Sequence, residues 1–527
     1  MKKKINKNSF FKSLSIMSLL TFVSRVLGYV RDLIFAFALG ATPGADSFLL
    51  AFRMPNFFRR LFAEGAINNS LVPLFIDIKK KQGKQYAELF IGYFFSILLL
   101  SLLFVTIICE IFMHNILSFL APGFSENMLE KTTFLARVMF PYLIFISISS
   151  LLGGLLNANN RYALWSFTPI ILNLFMVFAM MYSFVNSFIT ELALSWAVII
   201  SGITQFSILF LWTQKKNIRI IFIKPKLTNQ IKKLFRLLLP NILSGGIVQI
   251  NQFVGIIFAS TISGAISWLY YADRIIQLPL GIFIISITTI MLTILSKEKV
   301  NEKNKQQKID TSIMLVLTVT FLSVIGLLVL SDLIVDVLFK RGKFGYGDAK
   351  ATSDAIVMYS IGLPAFGLIK LFSIIFFSRQ NTTIPFYISF LSMILNICLL
   401  FLLVEKLGHL GIALSLSLTS WLNAIVLFIV LHHKGYWILK RKTLYKIFKL
   451  VVVSSLTLFL IYSCYFFIIY TDAIILSTFL SKIILLSILI FITIFSFAVF
   501  SYIIGLINYR NLINKNVWEL YEENKIE

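Results

Sequence analysis

Residues 14–69 read LSIMSLLTFVSRVLGYVRDLIFAFALGATPGADSFLLAFRMPNFFRRLFAEGAINN. They contain two apolar runs, each long enough to cross a bilayer, and both runs are interrupted by ionisable side chains. A single Arg or Asp at the centre of a spanning helix costs roughly 2.5–3.5 kcal/mol, whereas each Leu, Ile or Phe contributes only about 0.3–0.6 kcal/mol. Such side chains persist where they face a water-filled cavity inside a helix bundle, so the stretch predicts a membrane protein with a functional polar interior.

The charges in this stretch follow a seven-residue spacing. Arg25 and Asp32 lie on one face of a helix. Asp46, Arg53 and Arg60 repeat the same step in the second run. The spacing therefore predicts a polar stripe along one face of each helix.

Two features of the second run leave open which of its side chains face the cavity. Arg60 and Glu64 are four residues apart, and a structural ion pair near the helix end is as good an interpretation as contact with a substrate. Pro55 is expected to bend or break the helix between Arg53 and Arg60. The charged residues of the two runs therefore predict a functional polar site, but the sequence does not determine which of their side chains face the cavity.

The composition places the whole chain in a membrane. Of its 527 residues, 58% are hydrophobic and 13% are charged, and the mean hydropathy is +0.88, values outside the range of soluble domains. The net charge of +25 does not indicate a nucleic-acid partner, because the basic residues concentrate in short loops between apolar runs, where they set topology. The basic N-terminus lacks a small-residue cleavage site and is expected to be a cytoplasmic flank.

Apolar runs near 20 residues predict an all-α polytopic protein with about fourteen transmembrane helices. The predicted spans are 14–39, 46–76, 86–110, 132–156, 163–184, 190–213, 234–262, 268–295, 310–331, 354–378, 384–404, 411–432, 447–470 and 480–508. Most of the 48 Lys and Arg residues fall in the N-terminus, the even-numbered loops and the C-terminus. The positive-inside rule therefore predicts that both termini are cytoplasmic.

An internal repeat with an offset of about 220 residues divides the chain. The pair Leu-Asn at 172–173 recurs at 395–396, and Ala-Leu-Ser at 193–195 recurs at 413–415. Six spans separate equivalent points, so the two copies have the same orientation in the membrane. The repeat predicts two parallel six-helix lobes, residues 1–215 and 216–440, followed by two C-terminal helices and a cytoplasmic tail, residues 441–527.

The eighth span carries the second group of charges, in SWLYYADRIIQLPLGIF at 267–283. Arg274 and Gln277 are three residues apart and share a helix face, whereas Asp273 points in another direction. The amides at 249–252 in the seventh span favour interhelical hydrogen bonds. Arg274 is poorly explained by such bonds and is a candidate for substrate contact.

Five segments resemble the signatures of the MurJ (MviN) family of bacterial lipid II flippases in the MOP transporter superfamily. They are SRVLGYVRD (24–32), ADSFLLAFRMPNFFRRLFAEGA (45–66), APGF (121–124), SWLYYADR (267–274) and SRQNTTIP (378–385). The resemblance implies a two-lobed fold of fourteen helices with a central cationic cavity, in the bacterial inner (cytoplasmic) membrane. It also implies that lipid II, an undecaprenyl-diphosphate-linked peptidoglycan precursor, crosses to the outer leaflet by alternating access.

The family's functional arginines correspond here to Arg25, Arg31, Arg59 and Arg274, which the resemblance predicts to bind the diphosphate. The full set of predicted substrate-binding residues is Arg25, Arg31, Asp32, Asp46, Arg53, Arg59, Arg60, Asp273 and Arg274. The family often has Glu three residues after the eighth-span arginine, and this chain has Gln277. Proton or ion coupling through that carboxylate is therefore in doubt here.

The motifs that are missing exclude several classes of chemistry. There is no GxxxxGK[ST] and no HExxH, so neither ATP hydrolysis nor metal catalysis is expected. No cofactor is expected, although a monovalent ion at Asp32, Asp46 or Asp273 stays open.

The expected partners are lipid II and membrane lipids, without nucleic acid, and the expected state is a monomer. The abundance of Arg over Lys among the intramembrane charges favours a diphosphate headgroup, because a guanidinium forks onto phosphate oxygens.

Other functions remain as alternatives. A flippase for another polyprenyl-linked glycan or a drug exporter of the same superfamily would share these features. A membrane glycan polymerase would need a constellation of carboxylates at an exterior surface. The exterior loops at 114–130 and 339–354 are too short to hold a catalytic module and their acidic residues form no recognisable constellation.

Overall fold

Each of the fourteen predicted spans lies on a helix or a pair of helices. The computed structural model describes residues 7–62, 66–159, 162–215, 222–296, 302–471 and 478–506. Every regular element in these ranges is helical, which confirms the all-α class. The helices are α1 (Lys7–Leu39), α2 (Pro43–Phe62), α3 (Ala66–Lys81), α4 (Lys84–Leu120), α5 (Glu126–Met139), α6 (Tyr142–Ala158), α7 (Tyr162–Asn186), α8 (Thr190–Lys215), α9 (Asn229–Ala259), α10 (Ala265–Pro279), α11 (Ile285–Leu295), α12 (Glu302–Leu338), α13 (Tyr346–Phe377), α14 (Thr383–Leu407), α15 (His409–His433), α16 (Arg441–Thr471) and α17 (Phe479–Ile503).

Eleven helical stretches within the described ranges are long and apolar enough to cross a membrane. They coincide with the third to sixth and the eighth to fourteenth predicted spans. The first two predicted spans form α1 and the pair α2 and α3, which carry the charged cluster, and the seventh forms α9, whose apolar part is the shorter stretch Gln249–Ala259. The chain is a polytopic helical membrane protein, and the count of fourteen spans stays a prediction.

Prolines lie at two interruptions of the predicted spans. The fourth span is divided into α5 and α6 at Phe140 and Pro141. The eighth span passes from α10, which ends at Pro279, through a π-helical turn at Leu280–Ile284 into α11. Proline has no N–H for the helical ladder, and the chain adjusts locally where that donor is missing.

The second predicted span is formed by two helices. They flank residues 63–65, which lie outside the described part of the chain. Pro55 was expected to bend or break the helix, and it does not break it, because α2 continues through that residue from Pro43 to Phe62; the bend stays a prediction. One proline removes a single N–H donor, and the remaining bonds of α2 keep the backbone helical.

Contacts divide the chain into two compact units. Unit 1 comprises the described residues of Met1–Trp268 and Phe339–Asp348, and unit 2 those of Leu269–Leu338 and Ala349–Glu527. In unit 1, α1 packs along α7, α2 along α5, and α6 along α8. In unit 2, α14 packs along α15, and α16 packs along α17. The lobe boundaries drawn from the repeat stay a prediction.

The last two helices pack against α12 within unit 2. Leu330 of α12 meets Ile461 of α16 and Leu489 of α17 in a buried aliphatic cluster. Beside this cluster, Lys482 Nζ donates a hydrogen bond to Asp336 Oδ2 at 2.8 Å. Because lipid tails are as apolar as leucine, aliphatic burial alone does little to associate helices in a bilayer. The ion pair therefore gives α17 an orientation that apolar packing alone would leave weakly defined.

Candidate functional site

Arg31 and Asp32 form a buried ion pair on α1. Arg31 donates to Asp32 Oδ1 from Nη2 at 2.6 Å and from Nε at 3.0 Å, and the two residues are 6% and 2% exposed. Arg31 Nη1 also donates to Asn173 Oδ1 on α7 at 3.0 Å, and the Asn173 amide donates to the Ser24 carbonyl at 3.1 Å. A Cβ on Gly28 would lie 3.4 Å from this amide. The Arg31–Asp32 pair and the Asn173 side chain thus link α1 to α7.

Asp46 lies in the first turn of α2 and is 1% exposed. Its Oδ2 accepts the Gly264 N–H at 2.8 Å, and its Oδ1 accepts the Ser267 N–H at 2.9 Å and the Ser267 hydroxyl at 2.5 Å. Gly264 has a φ of +84°, in the left-handed region that favours glycine. Since a carboxylate satisfies the unbonded N–H groups at a helix N-terminus, Asp46 caps the start of α10 from a different helix.

Arg59 and Arg60 lie at the other end of α2. Arg59 Nε donates to Asn56 Oδ1 at 2.9 Å. Arg60 Nη1 reaches two amides of α9, Gln252 Oε1 at 3.2 Å and Gln249 Oε1 at 3.4 Å. Arg60 is exposed, whereas Arg59 is half-buried. These amides are among the partners that orient the two guanidinium groups.

The remaining predicted residues of unit 1 are Arg25 and Arg53. Arg25 is exposed on α1, and Arg53 is half-buried on α2. With Arg53, Arg59 and Arg60, α2 carries three arginines and a single carboxylate, Asp46, at its far end. The helix therefore has an excess of positive charge towards its C-terminal end.

The predicted residues of unit 2 lie on α10. Arg274 Nη2 donates to the Tyr270 hydroxyl at 2.9 Å, and the guanidinium carbon lies 4.8 Å from the centre of the Tyr270 ring. Gln277 Nε2 donates to Asp273 Oδ1 at 3.2 Å. The sequence predicted that Gln277 shares a helix face with Arg274, and it did not predict this bond to Asp273, which lies four residues before Gln277.

The two ends of α2 offer different chemistry. A guanidinium keeps its positive charge when it bonds to a neutral amide, and its planar set of donors matches phosphate oxygens. The C-terminal end of α2 is therefore suited to an anionic, phosphate-bearing ligand. Within the described ranges no group of three or more His, Cys, Asp or Glu side chains is arranged to hold a metal ion.

A family model described as lipid II flippase MurJ matches residues 35–485 of the chain. The chain belongs to the lipid II flippase MurJ family. It is 36% identical over 458 residues to a protein named probable lipid II flippase MurJ from Rhizobium meliloti (strain 1021), and the match covers 85% of each chain. A protein of the same name from Vibrio cholerae serotype O1 is 33% identical over 459 residues, covering 84% of this chain and 87% of its own. The resemblance drawn from the sequence motifs is confirmed.

Solved structures agree with this membership. A structure described as lipid II flippase MurJ in the inward closed conformation matches with a TM-score of 0.78 and 27% identity, covering 94% of this chain and 99% of the other. An inward-facing multidrug resistance MATE family transporter of the MOP superfamily matches with a TM-score of 0.67 and 14% identity, covering 78% and 94%. At that identity the second likeness shows the fold alone. The MurJ family to which the chain belongs is a transporter family.

Sequence reasoning missed several partners of the charged residues. Asn173 and Asn56 were not among the predicted site residues, although each orients an arginine. The signal for Asn173 was an amide within the apolar helix α7, and that for Asn56 was its position three residues before Arg59 on α2. The interhelical bonds expected from the amides at 249–252 are confirmed for Gln249 and Gln252. The predicted partner of Arg60 on its own helix, Glu64, lies outside the described residues.

Proposed function

We propose that this chain translocates lipid II from the inner to the outer leaflet of the bacterial cytoplasmic membrane by alternating access. It acts as a monomer with both termini cytoplasmic, and its partners are lipid II and membrane lipids. The observation that carries the proposal is the end of α2, where amides orient Arg59 and Arg60. Relatives covering most of the chain are named as probable lipid II flippases, which supports a diphosphate-linked lipid as the ligand of these groups.

The predicted residues divide into two roles. Arg25, Arg59 and Arg60 contact the diphosphate, and Arg53 contributes positive charge on the same helix as Arg59 and Arg60. Arg31 acts through the Asp32 pair, as a positioning residue, because its guanidinium is already bound to Asp32 and Asn173. Asp46 likewise positions the start of α10. In unit 2, Arg274 contacts the substrate with its guanidinium held against Tyr270, while Asp273 stays bonded to Gln277.

Depletion of the protein in cells tests the substrate and the direction. Lipid II is expected to accumulate in the inner leaflet, where an externally added enzyme that cleaves lipid II cannot reach it. Normal appearance of lipid II in the outer leaflet would contradict the proposal. If lipid II crosses normally while a different polyprenyl-linked glycan or a drug accumulates inside, the chain serves one of the alternative substrates.

The energy source is proposed to be the membrane potential, without an obligatory cofactor or coupling ion. A lipid diphosphate carries about two negative charges, and each charge moved outward across a potential that is negative inside gains about 2.3 kcal/mol per 100 mV. A net positive empty carrier is drawn inward by the same field, which has the right sign for the return step. Each carboxylate that the sequence offered to an ion has a protein partner, namely Arg31 for Asp32, the start of α10 for Asp46, and Gln277 for Asp273.

Reconstituted protein under an imposed potential, with matched pH on both sides, tests this energy source. Flipping is expected to increase as the inside becomes more negative. Flipping that ignores the potential and follows a proton or sodium gradient would show that an ion is coupled to transport.

A further inference from the structure

Unit 1 contains a cavity to which no residue of α2 contributes. Its volume is about 350 Å³. The last turns of α1 and α7, the start of α8 and the segment Phe339–Asp348 line it, and its walls include Phe37, Ser183, Phe184 and Lys343. We call Phe339–Asp348 the strap. The cavity thus lies where several helices end, at the level at which membrane helices meet water.

The backbone of the strap is fixed against α1. The Lys343 N–H donates to the Phe37 carbonyl at 3.0 Å, and Phe339 and Phe344 are 0% and 1% exposed. Gly342 has a φ of +61°, and a Cβ there would run into the Phe37 backbone, so this close approach requires glycine. The strap therefore holds Lys343 at the rim of the cavity through main-chain contacts that do not involve the lysine side chain.

The charge of Lys343 has no counterpart within the described part of unit 1. Other basic residues near the predicted exterior ends of helices form ion pairs, Lys131 with Glu191 at 2.9 Å and Lys482 with Asp336 at 2.8 Å. The Lys343 ammonium forms no ion pair, hydrogen bond or ring contact with any described residue. Since the positive-inside rule depletes lysine from exterior loops, the charge of a lysine that remains in one is not explained by topology.

The other side of the cavity is aromatic and faces outward. Phe184 is 75% exposed and Phe37 is 40% exposed. The loop between α7 and α8 is fixed, because the Ser183 hydroxyl donates to the Phe188 carbonyl at 2.5 Å and lies 2.7 Å from the Thr190 hydroxyl. Phenylalanine rings are wholly apolar, so rings exposed at the end of a membrane helix contact lipid chains in preference to water. A cation and exposed rings therefore flank one cavity at the interface.

We propose that this cavity binds one anionic phospholipid of the exterior leaflet. The lipid phosphate contacts the Lys343 ammonium, and an acyl chain lies along Phe184 and Phe37. A soluble anion uses only one of these features, because a single lysine is a weak phosphate site and the rings give a soluble anion nothing to contact. The site is separate from the arginines of α2, so it does not rest on the proposed transport function.

Native mass spectrometry of the full-length protein in detergent tests the site. Titration with phosphatidylglycerol is expected to show one lipid bound in preference to phosphatidylcholine of the same chain length. Lys343→Ala is expected to weaken this binding about five-fold, the effect of one basic residue at an anionic headgroup, and Lys343→Arg is expected to preserve it. Lys406→Ala is the matched control, because Lys406 is exposed in another predicted exterior loop and does not line the cavity.

A second pair of variants tests the acyl chain. Phe184→Ala is expected to weaken binding, and Phe119→Ala, which removes an equally exposed phenylalanine (73%) at the end of α4, is expected to leave it unchanged. Equal losses for Lys343→Ala and Lys406→Ala, or equal binding of the two phospholipids, would overturn the proposal. So would competition by glycerol phosphate as strong as that by a short-chain phosphatidylglycerol, which would indicate a site for soluble anions. Unchanged melting temperatures will show that the variants are folded, as expected because the strap is held by its backbone.

Discussion

The two ends of α2 use ionisable side chains in opposite ways. At the N-terminal end, Asp46 is 1% exposed and accepts three hydrogen bonds from Gly264 and Ser267. At the C-terminal end, Arg59 and Arg60 lie nearer the surface, with amides among their partners. One helix therefore carries a buried carboxylate with three hydrogen bonds and, about four turns away, two guanidinium groups nearer the surface, which we propose bind the ligand.

The difference shows that an intramembrane charge is not by itself evidence of a substrate contact. A buried carboxylate is stable only when it is fully hydrogen-bonded, and once it is, few of its acceptor sites are left for a ligand. A guanidinium has five N–H donors, so one or two bonds to amides fix its plane and leave donors for phosphate. By the same reasoning we assign Arg31, which is buried with Asp32, a structural role like that of Asp46.

Removal of the Asp46 carboxylate is expected to have the largest effect on stability. Asp46→Ala leaves the buried donors of Gly264 and Ser267 without their acceptor, which costs on the order of 3–5 kcal/mol. Asp46→Asn keeps one carbonyl oxygen but turns an N–H₂ group towards a second donor, so it should lose about half as much. The melting temperature of the purified protein in detergent measures both losses.

Asp77→Ala is the control for this comparison. The Asp77 side chain is 45% exposed and pairs with Lys81 at 3.1 Å on α3, and such pairs contribute about 0.5 kcal/mol or less. If Asp46→Ala and Asp77→Ala melt at the same temperature, Asp46 is not the cap of α10 that its hydrogen bonds indicate.

Removal of a guanidinium from the C-terminal end of α2 is expected to affect binding and to leave stability unchanged. Arg59→Ala should weaken lipid II binding by roughly ten- to a hundred-fold, which corresponds to the loss of one partly desolvated charged contact. Arg59→Lys should restore only part of the affinity, because an ammonium cannot form two parallel bonds to a phosphate. Equilibrium binding of lipid II to the purified protein provides the measurement.

Arg236→Ala is the matched variant, since it removes an exposed arginine of α9. It should leave affinity unchanged. If the Arg59→Ala protein melts at a lower temperature but binds lipid II normally, Arg59 has a structural role like that of Asp46.

The sequence was informative about the helices and less so about their side-chain partners. Apolar length located the eleven predicted spans that coincide with long apolar helices in the described ranges, because a bilayer imposes the same requirement on each segment. The division at Pro141 and the π-helical turn after Pro279 were not predicted, because local packing decides whether a proline ends a helix. At the site, the motifs identified the charged residues, but Asn173 lies 142 residues from Arg31 in the chain. A pair so distant leaves no trace in periodicity, and a single sequence cannot reveal it.

Removal of one amide partner of Arg60 is expected to have the smallest effect. In Gln252→Ala protein, Gln249 Oε1 still lies 3.4 Å from the same Arg60 nitrogen and can keep the guanidinium oriented. We therefore expect lipid II affinity to fall only about two- to three-fold, as for the net loss of one hydrogen bond of modest strength.

The double variant Gln249→Ala and Gln252→Ala removes both acceptors on α9 and should lower affinity by more than the product of the single effects, because either amide alone can hold the Arg60 side chain. Gln307→Ala, which truncates an exposed glutamine of α12, serves as the control and should bind lipid II normally. Since the amides orient Arg60 without carrying charge, the double variant should also show an unchanged dependence of binding on salt, whereas Arg60→Ala should reduce that dependence. Wild-type affinity in the double variant would mean that the amides do not prepare Arg60 for a ligand, and the contrast between the two ends of α2 would then rest on burial alone.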